Sequence, residues 1–443
     1  MSYNRNWRTL DAAQVVFVAA VLTLVPGAWA QGNYKTLYAF TGGADGWAPY
    51  GGLIFDAAGN LYGTTTEGGT HGGVVFKLTR KRDGSWTERV LYSFTDGADG
   101  GGPRAGLIFD QAGNLYGTTA GGGNLTNCSP GGCGVVFKLT PNRDGNWTES
   151  VLYSFAGGAD GAVPTAGLTV GPGGNLYGTT YSDGTTYSGR DASRFCDDRY
   201  DGCGVVFELS PKPNGSWKEK VLHHFTGADG GNPLAGLILD QSGNLYGTTV
   251  LGGALAYGTV FKLTPSSDGS WKEKVLRDFD FNGNGANPSA GLIFDRTGNL
   301  YGTTFDAGGS AGYCCGVAFM LSPSQDGWTE NVLYSFSGPT HHDGAQPLAG
   351  LTFDRRGNLY GTTQNGGKFD NNCFGFDISS CGVVFRLTPN SEGGWSEKVL
   401  HSFGDDPGAQ PVAGLIVDAA GNLYGTTQGD GYSTYGSVFE ITP

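Results

Sequence analysis

Gly113-Asn114-Leu115-Tyr116-Gly117-Thr118-Thr119 reads GNLYGTT, and the same seven residues begin again at Gly59, Gly174, Gly243, Gly298, Gly357 and Gly421. The gaps of 54, 61, 69, 55, 59 and 64 residues give a period of about 60. Around the second copy, Ala105–Asp110 is a short apolar strand (a), and Gln111–Gly113 is a tight turn. Asn114–Thr119 is strand b. After a loop, Gly134–Thr140 is strand c, with Val135, Phe137 and Leu139 on one face. Pro141–Gly145 holds an Asp-Gly hairpin turn, and Trp147–Phe155 is strand d with Val151, Tyr153 and Phe155 alternating.

Four antiparallel strands in about 60 residues cannot bury both sheet faces alone, so the copies must stack. Solenoid repeats are shorter, and separate sandwiches need more strands per core and linkers between them. A propeller fits both counts. The ends agree: Tyr34–Phe40 copies strand d, and Gly436–Thr442 copies strand c. Pairing them closes the circle and removes two open edges. The expected fold is all-β, a seven-bladed β-propeller of four-stranded antiparallel blades over residues 31–443, closed by its own termini.

The repeated string AGLxFDxxGNLYGTT, followed by GVVFKLTP and WxExVLYSF, resembles the Gloeo/Verruco (GloVer) tandem repeat family of exported bacterial proteins. The resemblance covers nearly all of residues 34–443. It implies repeat type and location but no established activity.

Composition agrees with strands and turns. Of 443 residues, 80 are Gly, and only 15% are charged. Residues 1–30 differ: Arg5 and Arg8 precede an apolar run from Ala12 to Leu24, and Ala28-Trp29-Ala30 has the form a signal peptidase reads. The expectation is a secretory signal, a secreted or periplasmic product, no membrane span after cleavage and no C-terminal anchor. Losing Arg5, Arg8 and Asp11 takes the net charge from −13 to −14. Such acidity disfavours nucleic acid and anionic membrane surfaces as partners. Eight cysteines in an exported chain point to disulfides. Cys128 and Cys133, Cys196 and Cys203, and Cys373 and Cys381 form close pairs, and Cys314 and Cys315 are adjacent.

The a–b and c–d turns share one propeller face and are short and uniform. The b–c and d–a loops share the other, where b–c lengths run from 8 residues (66–73) to 24 (181–204). Varied loops on a rigid frame are where binding sits. In the d–a loops, Asp45, Asp99, Asp160, Asp229, Asn284 and Asp343 each stand four residues before a proline; the seventh loop departs, with Asp406 just before Pro407. Symmetry predicts a ring of these groups at the channel mouth, able to take calcium or sugar hydroxyls, or else to close their own turns. Departures from symmetry add Trp47, His71, Tyr187, Tyr313, His341, His342, Phe374, Tyr432 and Tyr435, as stacking or polar contacts.

No nucleophile, zinc-protease or phosphate-loop motif is present, and no catalytic residue is assigned. The expected function is a non-catalytic, monomeric binding module for a polysaccharide or a cell-surface protein. The alternatives are a glycan-cleaving hydrolase or lyase using channel-mouth carboxylates and a structural part of an envelope complex.

Overall fold

The structure is a computed structural model describing residues 33–128, 131–183, 202–281, 283–308, 315–338, 341–368, 381–404, 408–429 and 434–443. Seven four-stranded antiparallel sheets follow one another, each in the order a-b-c-d. In blade 2 the strands are Ile108–Phe109, Leu115–Thr119, Val135–Pro141 and Trp147–Ser154. Strand c pairs strand d through a bulge at Val136/Phe137, which twists the outer strand. Among the described residues no helix is long and apolar enough to cross a membrane.

Blade 7 is assembled from both ends of the chain. Strand Ser437–Thr442 pairs strand Asn33–Ala39, with Asn33 opposite Thr442 and Ala39 opposite Ser437. Phe40 N–H donates to the Gly436 carbonyl at 3.0 Å and extends that seam by one residue.

The repeated motif explains the packing residue by residue. Gly113 takes φ +82°, which the turn after Asp110 requires. Asn114 Nδ2 and the Tyr116 hydroxyl both donate to Asp110 Oδ2. Leu115 is fully buried. At Gly117 a Cβ would stand 2.6 Å from the Phe137 ring, so only glycine lets strand b lie over that ring. Thr118 Oγ1 donates to the Ala166 carbonyl of blade 3 at 2.9 Å. Thr119 Oγ1 donates to the Gly121 carbonyl and accepts from Val135 N–H, which closes the start of the b–c loop. Every blade repeats the cross-blade threonine bond, including Thr426 to the Gly51 carbonyl across the seam.

Aromatic rings fill the joints. The last Phe beside strand d meets the strand-c Phe of the next blade edge to face, as Phe94–Phe137 at 5.0 Å and Phe403–Phe439 at 5.3 Å; all seven joints carry such a pair. Burying each Phe is worth about 1.5–3 kcal/mol and the pairing about 0.5–1.5 more. The repeated tryptophans also pack: Trp217 stands edge-on to Tyr116 of the preceding blade at 6.3 Å.

Strand a departs from expectation. Only two residues of Ala105–Asp110 pair as a strand. The triplet Arg104-Ala105-Gly106, with its six counterparts, lines the central channel instead, enclosing about 230 Å³. Seven chain segments converge there, and small residues are what fit: a Cβ on Gly51 would lie 2.5 Å from the Ala105 carbonyl oxygen.

Candidate functional site

A cavity of about 460 Å³ opens on the face of the b–c and d–a loops, between the first three blades. Glu67, Asp96, Arg104, Asn127 and Ser182 supply its polar wall, and Arg104 also lines the channel. Each is placed by the scaffold. Glu67 leaves strand b of blade 1 and pairs its backbone with Trp47, at 2.9 and 3.2 Å. Asp96 sits at φ 59°, and its Oδ1 rests over Gly101, where any Cβ would collide with it. Cys128 is disulfide-bonded to Cys133, which is fully buried, so that wall of the cavity is tied to the core. Beside it, Asn127 Nδ2 donates to the Ala156 carbonyl at 2.7 Å, leaving its Oδ1 available.

The electrostatics are mixed in sign. Burial lifts Glu67 above the ordinary carboxyl range, Asp96 adds to the lift, and Arg104 opposes it. Burial likewise raises the Tyr50 hydroxyl in the channel wall, again opposed by Arg104. Asp96 and Arg104 are exposed, and Glu67 is desolvated on one side while still reaching solvent. A carboxylate accepts hydrogen bonds from sugar hydroxyls, an amide does both, and a guanidinium donates; the cavity holds all three kinds.

Two of the sequence candidates meet outside the lining of this cavity. Trp47 and Tyr435 stand edge-on, centroids 6.4 Å apart, across the seam between blades 7 and 1. Tyr435 lies over Gly42, where a Cβ would fall 2.5 Å from the ring. His71 is exposed on the blade 1 loop, and Asn284 is exposed in the fifth d–a loop. Tyr187, Tyr313, Phe374, Asp406 and Tyr432 lie outside the described residues. Cys203, Cys315 and Cys381 are disulfide-bonded; Cys196, Cys314 and Cys373 lie outside the described residues.

Asp45, Asp99, Asp160, Asp229 and Asp343 each close onto strand d of their own blade. Asp45 accepts from the Tyr38 hydroxyl and Thr41 N–H, both at 2.9 Å, and from Thr41 Oγ1. Asp99 does the same with Tyr92 and Thr95, Asp160 with Tyr153 and Ala156 N–H, Asp229 with His223 and Thr226, and Asp343 with Tyr334 and Ser337 N–H. Burial pushes Asp45 up, but these donors outweigh it and hold the group below its usual range. Asp343 is buried at 4% exposure and pushed up, while the adjacent His341 and His342 are exposed. Among the described residues no three His, Cys, Asp or Glu side chains converge as metal ligands would. The residues lining the channel include no carboxylate.

A second repeated carboxyl stands behind this layer. Glu88, Glu149, Glu219, Glu273, Glu330 and Glu397 occupy one position of strand d, and in each Oε1 is buried without a hydrogen-bond partner. Burial, and then the Asp of the preceding d–a loop, pushes Glu88, Glu149, Glu219 and Glu397 up to about 7. Glu330 differs, pairing with Arg277 at 2.8 Å where the other joints have Tyr or His.

The comparisons with known proteins fit this architecture. The Gloeobacter/Verrucomicrobia repeat family matches residues 23–190 and 196–380. No curated protein matches the sequence. Among solved structures, a fungal alcohol oxidase in complex with copper is similar at 12% identity and TM-score 0.53, over 93% of this chain and 76% of that one. A hypothetical selenium-binding protein from Sulfolobus tokodaii is similar at 13% identity and TM-score 0.50, over 80% of each chain. A Trypanosoma rangeli sialidase is similar at 14% identity and TM-score 0.41, over 82% of this chain and 56% of that one. At such identities the likeness is one of fold.

Proposed function

The chain belongs to the Gloeobacter/Verrucomicrobia repeat family, and we propose that it is an exported module that binds a polysaccharide on the loop face of its propeller. The observation that carries this reading is the cavity of about 460 Å³ beside the channel, with Glu67, Asp96, Arg104 and Asn127 in its wall. Sugar recognition needs convergent donors and acceptors held still, with an aromatic ring nearby. The Cys128–Cys133 bridge supports the first requirement, and Trp47, backbone-paired to Glu67, supports the second. The same bridge supports an oxidising compartment, in keeping with the signal-like residues 1–30.

A second reading rests on Glu67. A carboxyl raised by burial and by a neighbouring Asp96 beside it is the arrangement from which an acid–base pair for glycosidic cleavage is built.

The deciding experiment incubates the purified protein with soluble and insoluble polysaccharides and scores both retention and released oligosaccharides. Retention without products, weakened tenfold or more by Arg104→Ala or Trp47→Ala, is the expected result. Products abolished by Glu67→Gln would replace it with the second reading. Neither retention nor products would move the function to a protein partner.

A further inference from the structure

We propose that the opposite face carries a second binding site, a cleft between the a–b turns of blades 6 and 7 that takes the carboxylate or sulfate groups of an acidic polysaccharide. The cleft encloses about 390 Å³ and holds Arg355, Arg356 and Arg386 against the turn of blade 7. This face is otherwise uniform, which makes the departure visible. At the two turn positions the other blades carry Ala57-Ala58, Gln111-Ala112, Pro172-Gly173, Gln241-Ser242, Arg296-Thr297 and Ala419-Ala420. At the strand-c position they carry Lys77, Lys138, Glu208, Lys262, Met320 and Glu440. Only blade 6 assembles three arginines, and neither the turn geometry nor the sheet register asks for them.

Arg386 is the least explained by the fold. In blades 1, 2 and 4 the equivalent lysine sits over the strand-b tyrosine ring, at 5.0, 5.6 and 5.3 Å, and Lys77 also pairs with Asp56 at 3.7 Å. Arg386 instead bonds the Tyr360 hydroxyl, and its Nε is buried with no partner. A buried donor left unsatisfied costs about 1–3 kcal/mol, more for a charged group. An oxyanion in the cleft would remove that cost, because a guanidinium fork matches carboxylate and sulfate oxygens in pairs.

The two aspartates of the cleft are already engaged, and Pro443 also lines it. Asp354 Oδ1 accepts from Arg356 N–H and Asn358 N–H, and Oδ2 accepts from Asn358 Nδ2 and the Tyr360 hydroxyl. Asp418 is filled in the same way by Ala420, Asn422 and Tyr424. Among the described residues, none of the three arginines forms an ion pair with a carboxylate. The net charge of −13 works against polyanions at a distance. At physiological salt, however, charges beyond about 8 Å are screened, so the local arginines govern the last approach. Density of charge separates the ligands. Duplex DNA carries a charge every ~1.7 Å and meets the full repulsion of the protein, whereas an acidic glycan carries about one per sugar.

The test is calorimetric titration of the full chain with trigalacturonate, a chondroitin sulfate tetrasaccharide and neutral maltotriose. Two variants keep the fold intact because sister blades already contain them. Arg355→Ala with Arg356→Ala reproduces the turn of blades 1 and 7, and Arg386→Lys reproduces the residue of blades 1, 2 and 4. The expected result is binding of at least one acidic oligosaccharide with Kd under about 1 mM and none of maltotriose. The double variant should weaken it tenfold or more, Arg386→Lys severalfold, and Arg104→Ala on the loop face not at all. Equal binding by the double variant, equal binding of maltotriose, loss with Arg104→Ala, or no acidic ligand bound would each overturn the proposal. The Arg104→Ala arm also separates this site from the loop-face site, since that variant tests the latter alone.

Discussion

Tyr34 lies flat against His401, with ring centroids 4.0 Å apart and planes within 5° of parallel. The pair occupies the place where other joints set a strand-d Glu against a Tyr or His of the preceding blade, as Glu149 against Tyr92. At the seam the carboxyl has become a ring, and the partner a flat imidazole that matches it. The same Tyr34 meets Phe403 edge-on at 5.8 Å. The N-terminal strand is therefore held by ring contacts to blade 6 as well as by its pairing with Ser437–Thr442.

Tyr34→Ala should lower the melting temperature by a few degrees, since it removes a stacked pair worth about 0.5–1.5 kcal/mol together with its buried area. Deleting residues 33–40 should do far more, leaving strand Ser437–Thr442 without its outer partner and broadening the calorimetric transition. A deletion variant that melts like the full protein would contradict closure by Asn33–Ala39.

Gly117→Ala probes strand b. The added methyl would stand 2.6 Å from the Phe137 ring and 3.0 Å from Leu107. Overpacking of this kind costs about 1–3 kcal/mol. Chemical denaturation should show that loss with an unchanged slope, whereas Gly113→Ala, with open space around its Cβ, should report only the strain of positive φ.

The buried strand-d glutamates set the pH dependence. Glu88, Glu149, Glu219 and Glu397 ordinarily titrate near 4.5 and are pushed up to about 7 in the fold. Between those values the folded state holds more protons than the unfolded one, so stability falls as pH rises from about 4.5 to 7. Asp56, Asp110, Asp240, Asp354 and Asp418 are held below 3.8 and oppose this only at lower pH. The melting temperature should be several degrees higher at pH 5 than at pH 8. Glu149→Gln should flatten that slope and raise stability at pH 8.

Cys128→Ser with Cys133→Ser should leave the ring intact, because closing so short a loop is worth about 2 kcal/mol at most. The same change frees one wall of the loop-face cavity. Retention on polysaccharide should drop several-fold while the melting curve moves little, and a large loss of stability with full retention would argue for a structural staple alone.

Much of this was legible in the residues. Gly117 beneath Phe137, Thr118 reaching the next blade and Phe94 against Phe137 recur in every unit, and a recurrent contact writes a recurrent letter. Strand a was read too long because Ala105-Gly106 is apolar like a strand, yet its smallness serves the crowded axis and not a sheet partner. Symmetry sets the d–a carboxylates at equal angles around the axis but does not name their hydrogen-bond partners. The missing signal was the Tyr or His upstream: Tyr38, Tyr92 and Tyr153 seven residues before Asp45, Asp99 and Asp160, His223 six before Asp229 and Tyr334 nine before Asp343. Where that residue becomes Arg277, the Asp becomes Asn284 as well. Arg104 stands at the channel end of a d–a loop, outside the long b–c loops that the sequence singles out. Its signal was a lone charge at a register position held elsewhere by Tyr50, Thr165, Leu234, Ser289, Leu348 and Val412.

The seam between Asn33–Ala39 and Ser437–Thr442 also sets a schedule. The first strand to leave the ribosome is the last to find its partner, because some 400 residues must follow it. At about 5–20 residues per second that wait is roughly 20–80 s. Throughout it the segment is a strand edge without its partner, and its blade cannot form until Ser437–Thr442 has been made. Lys35, exposed at the middle of that strand, is the kind of charge that keeps a waiting edge from joining the wrong neighbour.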